Sequence, residues 1–449
     1  MYLTPARLTE QINERQDIVN FYGINRLPKK KQGELAGGKN LSSRFPGCLY
    51  PRPPRSVYKT LTNGKALFAC ANGKLAWVDG TNFVYDNVVK GTVTAGAKSI
   101  VDFYGNVIIF PDKKIYNYNE GEDTFESFGT GTYPAVGSVP DMDMICVFEN
   151  RVWGIKGLES YVSKYNDHTV WTQFSVPRST DDSIYIKLPP ERGNYKGLIP
   201  LENHMLFATN NSTYEGYGNA RNFQPRLVSN SRGTVDGKSM VEVDGMVFML
   251  SSDGVNVYTG SIPRPISYQL DEKYVSGVAG TDGRRYYLSL YNGTKYTLYV
   301  CDTALLGSAY SPWYIEDDLQ VIDFANSNGV LYALTADNKI IRFNDNSGNE
   351  AVEWYAETEK MDYDYMGHTI SLKLKIEAEL EPDAVIKIYI SSDNKGYELK
   401  DTYVSDGLKH FSTIIEPERT NYFQIKIEGK GNAKIMSITR EFIVGMDGE

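Results

Sequence analysis

The chain has 449 residues and a net charge of -9, and 41% of its residues are hydrophobic. That apolar content is enough for a sizeable core and excludes wholesale disorder. No apolar run approaches the roughly 18 residues that span a bilayer, and the N-terminus lacks a basic segment followed by an apolar one. We therefore expect no membrane insertion, no secretory signal, and synthesis in a cytosol.

The positive charge is concentrated near the N-terminus. Residues 1–59 hold eleven Lys and Arg against four Asp and Glu, a net charge of +7, so the remaining residues must carry -16. A basic segment on an acidic body predicts contact with an acidic neighbouring subunit or with nucleic acid, and a solvated tail is the alternative. The candidate residues for assembly or DNA contact are Arg7, Arg15, Arg26, Lys29, Lys30, Lys31, Arg44, Arg52 and Arg55.

The same residues, 1–59, look like an extended arm. Thr4 followed by Pro5 resembles a helix start and predicts a short helix over about residues 5–15. Pro51, Pro53 and Pro54 then favour an extended course, because proline fixes φ and restricts the residue before it.

Residues 60–358 predict a series of seven similar β units. Each has an apolar strand, a turn built on Gly, Asn or Asp, and a second strand rich in aromatic and branched side chains. The turns fall at residues 72–73, 105–106, 149–150, 202–203, 244–245, 282–283 and 328–329. Their spacing of roughly 30 to 55 residues is close to the period of four-stranded propeller blades.

We therefore predict an all-β protein with a six- or seven-bladed β-propeller-like domain at 60–358. Two consecutive β-sandwiches are the competing interpretation of this region. Residues 359–449 alternate between apolar and polar, with Ile370, Leu372, Leu374 and Ile376 on one face of a strand, and predict a C-terminal β-sandwich.

The sequence offers little that suggests catalysis. The four histidines, His168, His204, His368 and His410, lack the spacing of a metal site, and His204 after its turn is expected at a surface or edge. No nucleophile elbow or phosphate-binding loop is present. We expect no catalytic residues, no metal and no cofactor, and hence no enzyme.

Several segments resemble a family of structural proteins encoded by phages and prophages. They are residues 40–46 with 51–55, 252–258 with 265–267, 283–289 with 298–303 and 313–314, and 423–431 with 438–442. The broader group is similar to the packaged-DNA stabilisation (tail hub) proteins and tail nozzles of short-tailed phages. That resemblance implies a β-propeller subunit that forms a ring and lines or closes the DNA exit channel.

The leading prediction is a virion structural protein of the phage neck or tail, a homo-oligomeric ring of six or twelve copies assembled in the host cytoplasm. Its expected partners are itself, the portal or head–tail adaptor, other tail proteins, and packaged DNA without sequence preference. A tail-fibre or receptor-binding protein that recognises host glycans is one alternative. A propeller glycosidase is the other.

Overall fold

The computed structural model describes residues 13–119, 121–133, 135–172, 179–345, 347, 351–361, 368–404 and 406–444. Strands dominate this part of the chain. The helices within it are four short 3-10 turns, at Pro190–Arg192, Gly237–Ser239, Tyr268–Leu270 and Thr303–Leu305. The predicted all-β class is confirmed, in the form of many small antiparallel sheets.

The described residues fall into two compact units. The first unit contains the residues up to Pro54, residues 304–317, and those from 351 onward. The second unit contains residues 55–303 and the described residues between 318 and 348.

The chain begins with three strands that later join different sheets: β1 (Asn13–Ile18), β2 (Leu35–Lys39) and β3 (Ser56–Thr60). Sheet 1 then contains β4 (Gly64–Ala69), β5 (Leu75–Asp79), β6 (Asn82–Tyr85) and β7 (Val88–Thr92). Sheet 2 contains β8 (Ser99–Phe103), β9 (Asn106–Phe110), β10 (Lys114–Asn117) and β11 (Thr124–Ser127). Sheet 3 contains β12 (Met144–Phe148), β13 (Arg151–Lys156), β14 (Glu159–Val162) and β15 (Ile184–Lys187).

Sheet 4 contains β16 (Tyr195–Pro200), β17 (Met205–Thr209), β18 (Thr213–Tyr217) and β19 (Gln224–Ser229). Sheet 5 contains β20 (Val241–Val243), β21 (Met246–Ser251), β22 (Gly254–Tyr258) and β23 (Arg264–Pro265). Within the second unit, sheet 6 contains β24 (Ser276–Thr281), β25 (Arg285–Tyr291) and β26 (Tyr296–Asp302). The next strand, β27 (Trp313–Asp317), lies in the first unit.

Sheet 7 contains β28 (Val321–Ser327), β29 (Val330–Thr335) and β30 (Lys339–Arg342), and β3 pairs with β30 as its fourth strand. The remaining strands are β31 (Glu353–Thr358), β32 (Thr369–Leu380), β33 (Val385–Ser392), β34 (Glu398–Val404), β35 (Gly407–Ile414), β36 (Arg419–Thr420), β37 (Phe423–Lys430) and β38 (Ala433–Val444).

The seven hairpins predicted from the sequence are confirmed, each as the first two strands of sheets 1 to 7. Turn chemistry explains why the sequence showed them. Asp244 and Gly245 both have positive φ, 51° and 75°, between β20 and β21. A two-residue hairpin turn of this kind requires positive φ at both positions, and Asp followed by Gly supplies it at little cost.

Neighbouring sheets of the second unit pack through apolar clusters. Trp77, 1% exposed, lies with Leu67 of sheet 1 and Leu334 of sheet 7. Trp153 of sheet 3 lies 6.2 Å from the ring of Phe207 in sheet 4. Because one small sheet cannot cover its own faces, burial of these aromatic rings against the next sheet supplies much of the stabilisation.

The first unit contains two antiparallel sheets. Sheet 8 has the order β1-β38-β32-β35, with β36 also paired to β32, and sheet 9 has the order β2-β31-β37-β33-β34. One face of each sheet is apolar and buried, with Ile376 and Ile438 in sheet 8 and Ile388 and Ile427 in sheet 9.

The N-terminal region differs from the extended arm predicted for residues 1–59. Residues 13–15, predicted to end a helix, belong to strand β1, which pairs with β38 from Asn13 to Ile18. Ile18, Phe21 and Ile24 are at most 2% exposed. Burial of these apolar side chains outweighs the local Pro, Gly and Lys signals. Residues 1–12, including the rest of the predicted helix, lie outside the described residues.

Strand β32 departs from the predicted alternation at its start. A register shift between Ser371 and Lys373 turns Thr369 and Ser371 inward, where Ile370 and Leu372 were expected. The inward hydroxyls accept hydrogen bonds from the fully buried Arg440, at 2.8 Å for Ser371 and 2.5 Å for Thr369. A buried guanidinium requires such acceptors, and this requirement explains the reversal.

A buried ion pair joins the segment before sheet 2 to a turn within it. Lys98 and Asp112 have side chains 1% and 3% exposed, and Lys98 Nζ lies 2.7 Å from Asp112 Oδ2. The backbone N–H of Thr94 also donates to Asp112. Burial raises the pKa of Asp112, but these donors outweigh burial and hold the pKa below its usual value.

We predict that Lys98→Met lowers the free energy of unfolding by about 3–5 kcal/mol, because it leaves the Asp112 carboxylate buried without its cation. The double variant Lys98→Met/Asp112→Asn should recover most of this loss. Urea unfolding of both proteins measures the difference. Lys339→Met is the matched control, because Lys339 pairs with Asp337 at side-chain exposures of 43% and 57%, and it should cost less than about 1 kcal/mol. Equal effects at the two lysines would contradict the prediction.

Candidate functional site

The structure places the candidate basic residues in separate contacts. Arg15 donates to Asp17 at 2.6 Å, and Lys30 donates to the Leu27 carbonyl at 2.6 Å. Arg52 is 6% exposed and donates to the side chain of Asn40 at 2.8 Å.

The other candidates contact rings or solvent. Lys31 lies 5.3 Å from the ring centre of Tyr310, and Arg44 lies 5.6 Å from that of Phe45. Arg55, in the second unit, lies 4.4 Å from the ring of Phe343. Lys29 is exposed, Arg26 is half-buried, and Arg7 lies outside the described residues. The role of these cations in assembly or DNA contact stays a prediction.

A cleft of about 650 Å³ lies on the first unit, along sheet 9. We call it the sheet 9 cleft. It involves strands β2, β31, β33 and β37 and is lined by Lys39, Asn40, Glu353, Trp354, Tyr355, Val385, Lys387, Glu428, Gly429 and Lys430.

Antiparallel register sets the order of charges across this cleft. Glu353 pairs with Lys430, and Lys430 pairs in turn with Val385. Two residues along each strand, Tyr355 pairs with Glu428, and Glu428 pairs with Lys387. Because residues paired across strands point to the same face, these side chains form two adjacent rows.

Lys426 lies beside the cleft inside a cluster of tyrosines. Its ammonium is 5.1 Å from the ring centre of Tyr355, 5.8 Å from that of Tyr389 and 5.6 Å from that of Tyr397. It also lies 2.9 Å from Glu428 Oε1. Aromatic faces attract a cation, so the cluster holds Lys426 against Glu428.

The carboxylates near Lys426 respond to it differently. Burial raises the pKa of Glu428, but hydrogen bonds from Lys426 and Tyr389 outweigh burial and lower the pKa overall. Burial raises the pKa of Glu357, and the Lys426 charge opposes this only in part. Glu428 is therefore a carboxylate whose charge Lys426 already neutralises.

No residue of this cleft was among the candidate site residues. In β37 the positions Phe423, Ile425 and Ile427 are apolar and alternate with polar ones. The polar positions between them, Gln424, Lys426 and Glu428, are the signal that could have identified a charged outer face.

One titratable cluster of the second unit lies between sheets 4 and 5. Glu215, 1% exposed, accepts hydrogen bonds from Tyr258 Oη and from Arg226, each at 2.7 Å. His204 Nε2 lies 3.1 Å from Tyr258 Oη. His204 is buried, with 8% exposure, whereas it was expected at a surface or edge. Burial lowers the pKa of His204, although the Glu215 charge opposes it.

Pairs of tyrosine and carboxylate recur in other sheets. Tyr116 donates to Asp123 at 2.7 Å in sheet 2, and Tyr161 donates to Glu159 at 2.5 Å in sheet 3. Repetition in successive sheets indicates that these pairs satisfy the hydroxyls of packed tyrosines, which is a structural role.

Glu359, in the first unit, is a buried carboxyl. It is 8% exposed and accepts a hydrogen bond from the backbone N–H of Gly33 at 3.2 Å. Burial raises its pKa to about 7, the nearby Glu34 charge adds to this, and the Gly33 hydrogen bond and Lys30 oppose it.

The described part of the chain contains no group of three or more His, Cys, Asp or Glu side chains arranged to hold a metal ion. Among its helices, none has the length and apolar character required to cross a membrane.

No protein-family model matches the chain, and no curated protein matches it. Among solved structures, the extracellular domain of a putative one component system from B. thetaiotaomicron is similar over 88% of this chain and 62% of its own, with 10% identity and a TM-score of 0.44. The extracellular domain of a putative hybrid two component system from the same organism gives the same coverage, 9% identity and a TM-score of 0.44. A putative exported protein from Bacteroides fragilis is similar over 66% of this chain and 94% of its own, with 10% identity and a TM-score of 0.34.

The phage assignment is wrong. The similar structures named above are extracellular or exported bacterial domains, not phage tail or nozzle proteins. This overturns the predicted family resemblance, the predicted ring in the phage neck and the predicted virion location. The tail-fibre and glycosidase alternatives are not supported either. The chain spans about 62% of the length of the sensor domains that it matches. At these identities and TM-scores, the similarity transfers no function to it.

We predict that Glu359→Gln raises the free energy of unfolding at pH 8 and leaves it nearly unchanged at pH 4.5. The folded-state pKa of about 7 exceeds the usual 4.5, so the wild type loses stability as pH rises from about 4.5 to about 7, by on the order of 3 kcal/mol. Urea unfolding at both pH values measures the effect, with the exposed Glu416→Gln as control. An equal change at both pH values would contradict this prediction.

Proposed function

We propose that the second unit is a seven-bladed β-propeller and that the first unit is a β-sandwich. The propeller is inferred from seven successive sheets, whose first strands make six contacts in chain order: β4 touches β8, β8 touches β12, β12 touches β16, β20 touches β24, β24 touches β28, and β28 touches β4. Sheets 4 and 5 share an apolar cluster that includes Leu206 and Met249. The pairing of β3 with β30 joins the two ends of the unit within one sheet.

The sandwich of the first unit is inferred from sheets 8 and 9. Phe442 of sheet 8 and Phe423 of sheet 9 lie 4.7 and 4.5 Å from the buried guanidinium of Arg440. Residues from both sheets thus enclose one side chain, as expected where two apolar faces pack together.

In such a propeller the first strands of the sheets line the central axis. Lys238, in the turn Gly237–Ser239, donates to the Ile322 carbonyl of β28 at 3.1 Å. Asp323, next to Ile322, lies 3.7 Å from Lys238 Nζ and accepts a hydrogen bond from the backbone N–H of Leu67. Lys238 therefore extends from the sheet 5 side to sheets 7 and 1, across the axis, and this arrangement does not favour an open conduit.

We propose that the protein is a non-enzymatic binding protein that takes a peptide segment of a partner in the sheet 9 cleft. The observation that carries the proposal is the cleft itself. Its volume of about 650 Å³ is within the range of ligand sites. Its polar side chains stand in rows set by strand register, a spacing that matches the side chains of an extended peptide.

The propeller would then be a rigid support, and the buried tyrosine–carboxylate pairs would be parts of that support. Glu215 and Tyr258 illustrate this, because both are at most 1% exposed. A carboxylate enclosed in this way is not accessible to a substrate.

The test uses fluorescein-labelled pentapeptides of acidic, basic and neutral composition, titrated with the full chain and followed by fluorescence anisotropy. We predict saturable binding of one composition and its loss in Val385→Trp, which would fill the cleft. Ser412→Trp, on an exposed position of β35 in sheet 8, is the matched control and should bind normally. If no pentapeptide binds in a way that Val385→Trp abolishes, the proposed function is wrong.

A further inference from the structure

We propose that the sheet 9 cleft selects an acidic peptide, one with carboxylates at alternate positions, and that Lys387 is its main charge contact. This inference rests on the proposed peptide binding and adds the chemical class of the ligand.

The cleft lining holds the ammonium groups of Lys39, Lys387 and Lys430 and the carboxylates of Glu353 and Glu428, and Lys430 Nζ lies 3.6 Å from Glu353 Oε1. The cleft's positive excess is unusual in a chain with a net charge of -9. A local positive field on an acidic protein attracts anions to that site and not to the rest of the surface.

The tyrosine cluster increases this imbalance. Glu428 faces Lys387 across the strands, but its carboxylate lies 2.9 Å from Lys426, which three tyrosine rings hold in place. In the part of the chain that the structure describes, no carboxylate lies within the 4.0 Å ion-pair distance of Lys387 Nζ. Lys387 is exposed and can therefore receive an external carboxylate.

Lys430 provides a second contact. Its ammonium lies 3.6 Å from Glu353 Oε1, but the two side chains are 58% and 78% exposed, and an exposed ion pair of this kind contributes little, so an external carboxylate can compete for Lys430. Lys430 pairs with Val385, two residues before Lys387 on β33, so the two lysines are diagonal neighbours on one face. Diagonal neighbours in a sheet lie about 7–8 Å apart. Side chains two residues apart in an extended peptide lie about 7 Å apart on one face. Alternate carboxylates therefore match the two lysines, and adjacent carboxylates do not.

The cleft also offers apolar contact. Tyr355 and Val385 line it, and Trp354 contributes to its wall. These surfaces suit the backbone and side-chain stems of a peptide better than a bare inorganic anion, which has no apolar surface to bury.

The experiment compares three labelled pentapeptides, Ser-Glu-Ser-Glu-Ser, Ser-Glu-Glu-Ser-Ser and Ser-Lys-Ser-Lys-Ser, by anisotropy with the full chain. We predict that the alternating acidic peptide binds at least 5-fold more tightly than the adjacent one. Lys387→Glu should weaken its binding at least 10-fold, and the exposed Lys409→Glu on sheet 8 should change it less than 2-fold. Circular dichroism would verify that Lys387→Glu is folded.

Each outcome has a distinct meaning. If the lysine peptide binds instead and Val385→Trp abolishes that binding, the cleft binds peptides but the acidic assignment is wrong. If inorganic phosphate at equal charge concentration displaces the acidic peptide completely, the site is a general anion site and the peptide assignment is wrong. If Lys387→Glu binds the acidic peptide as well as the wild type, Lys387 is not the contact.

Discussion

The pairing of β3 with β30 is the interaction on which the organisation of the second unit depends. It brings residues 56–60 into register with residues 339–342, so the beginning and the end of the unit share one sheet. The contact of β28 with β4 then continues from sheet 7 to sheet 1. Each small sheet has two faces to cover and gains stability only from its neighbours. Apolar clusters shared between neighbouring sheets cover these faces, which explains how many short strands, often of four to six residues, can form one stable unit.

The 33 tyrosines of the chain also contribute to the packing between small sheets. A tyrosine ring buries a large apolar surface between sheets, but its hydroxyl must find a partner once it is buried. Asp123, Glu159 and Glu215 provide such partners at 2.5–2.7 Å. Tyrosine has a different role at the sheet 9 cleft, where the rings of Tyr355, Tyr389 and Tyr397 face the ammonium group of Lys426. Tyrosine thus supports packing in one unit and positions charge in the other.

Local chemistry determined which features the sequence could predict. Hairpins were predictable because Asn-Gly and Asp-Gly turns are local signals, as at Asn328-Gly329. The strand in the N-terminal region was not predictable, because the partner of β1 is β38, more than 400 residues away. The start of β32 was mispredicted for a related reason, because its inward hydroxyls accept hydrogen bonds from Arg440, which is distant in the sequence. The sheet 9 cleft requires four strands from distant parts of the chain, and composition and spacing do not reveal which charges meet there. The family resemblance misled the functional assignment, because its motifs were strand and turn patterns that any similar all-β chain can carry.

The position of β1 at the border of sheet 8 has a practical consequence. β38 has twelve residues, and β1 occupies six of them on the side away from β32. Trimming the chain past Ile18 would leave a long row of backbone donors and acceptors on β38 open to solvent. Unprotected strand borders of this kind recruit other polypeptides and promote aggregation. Expression of shortened forms should therefore retain residues 13–18, even though their local sequence looks dispensable.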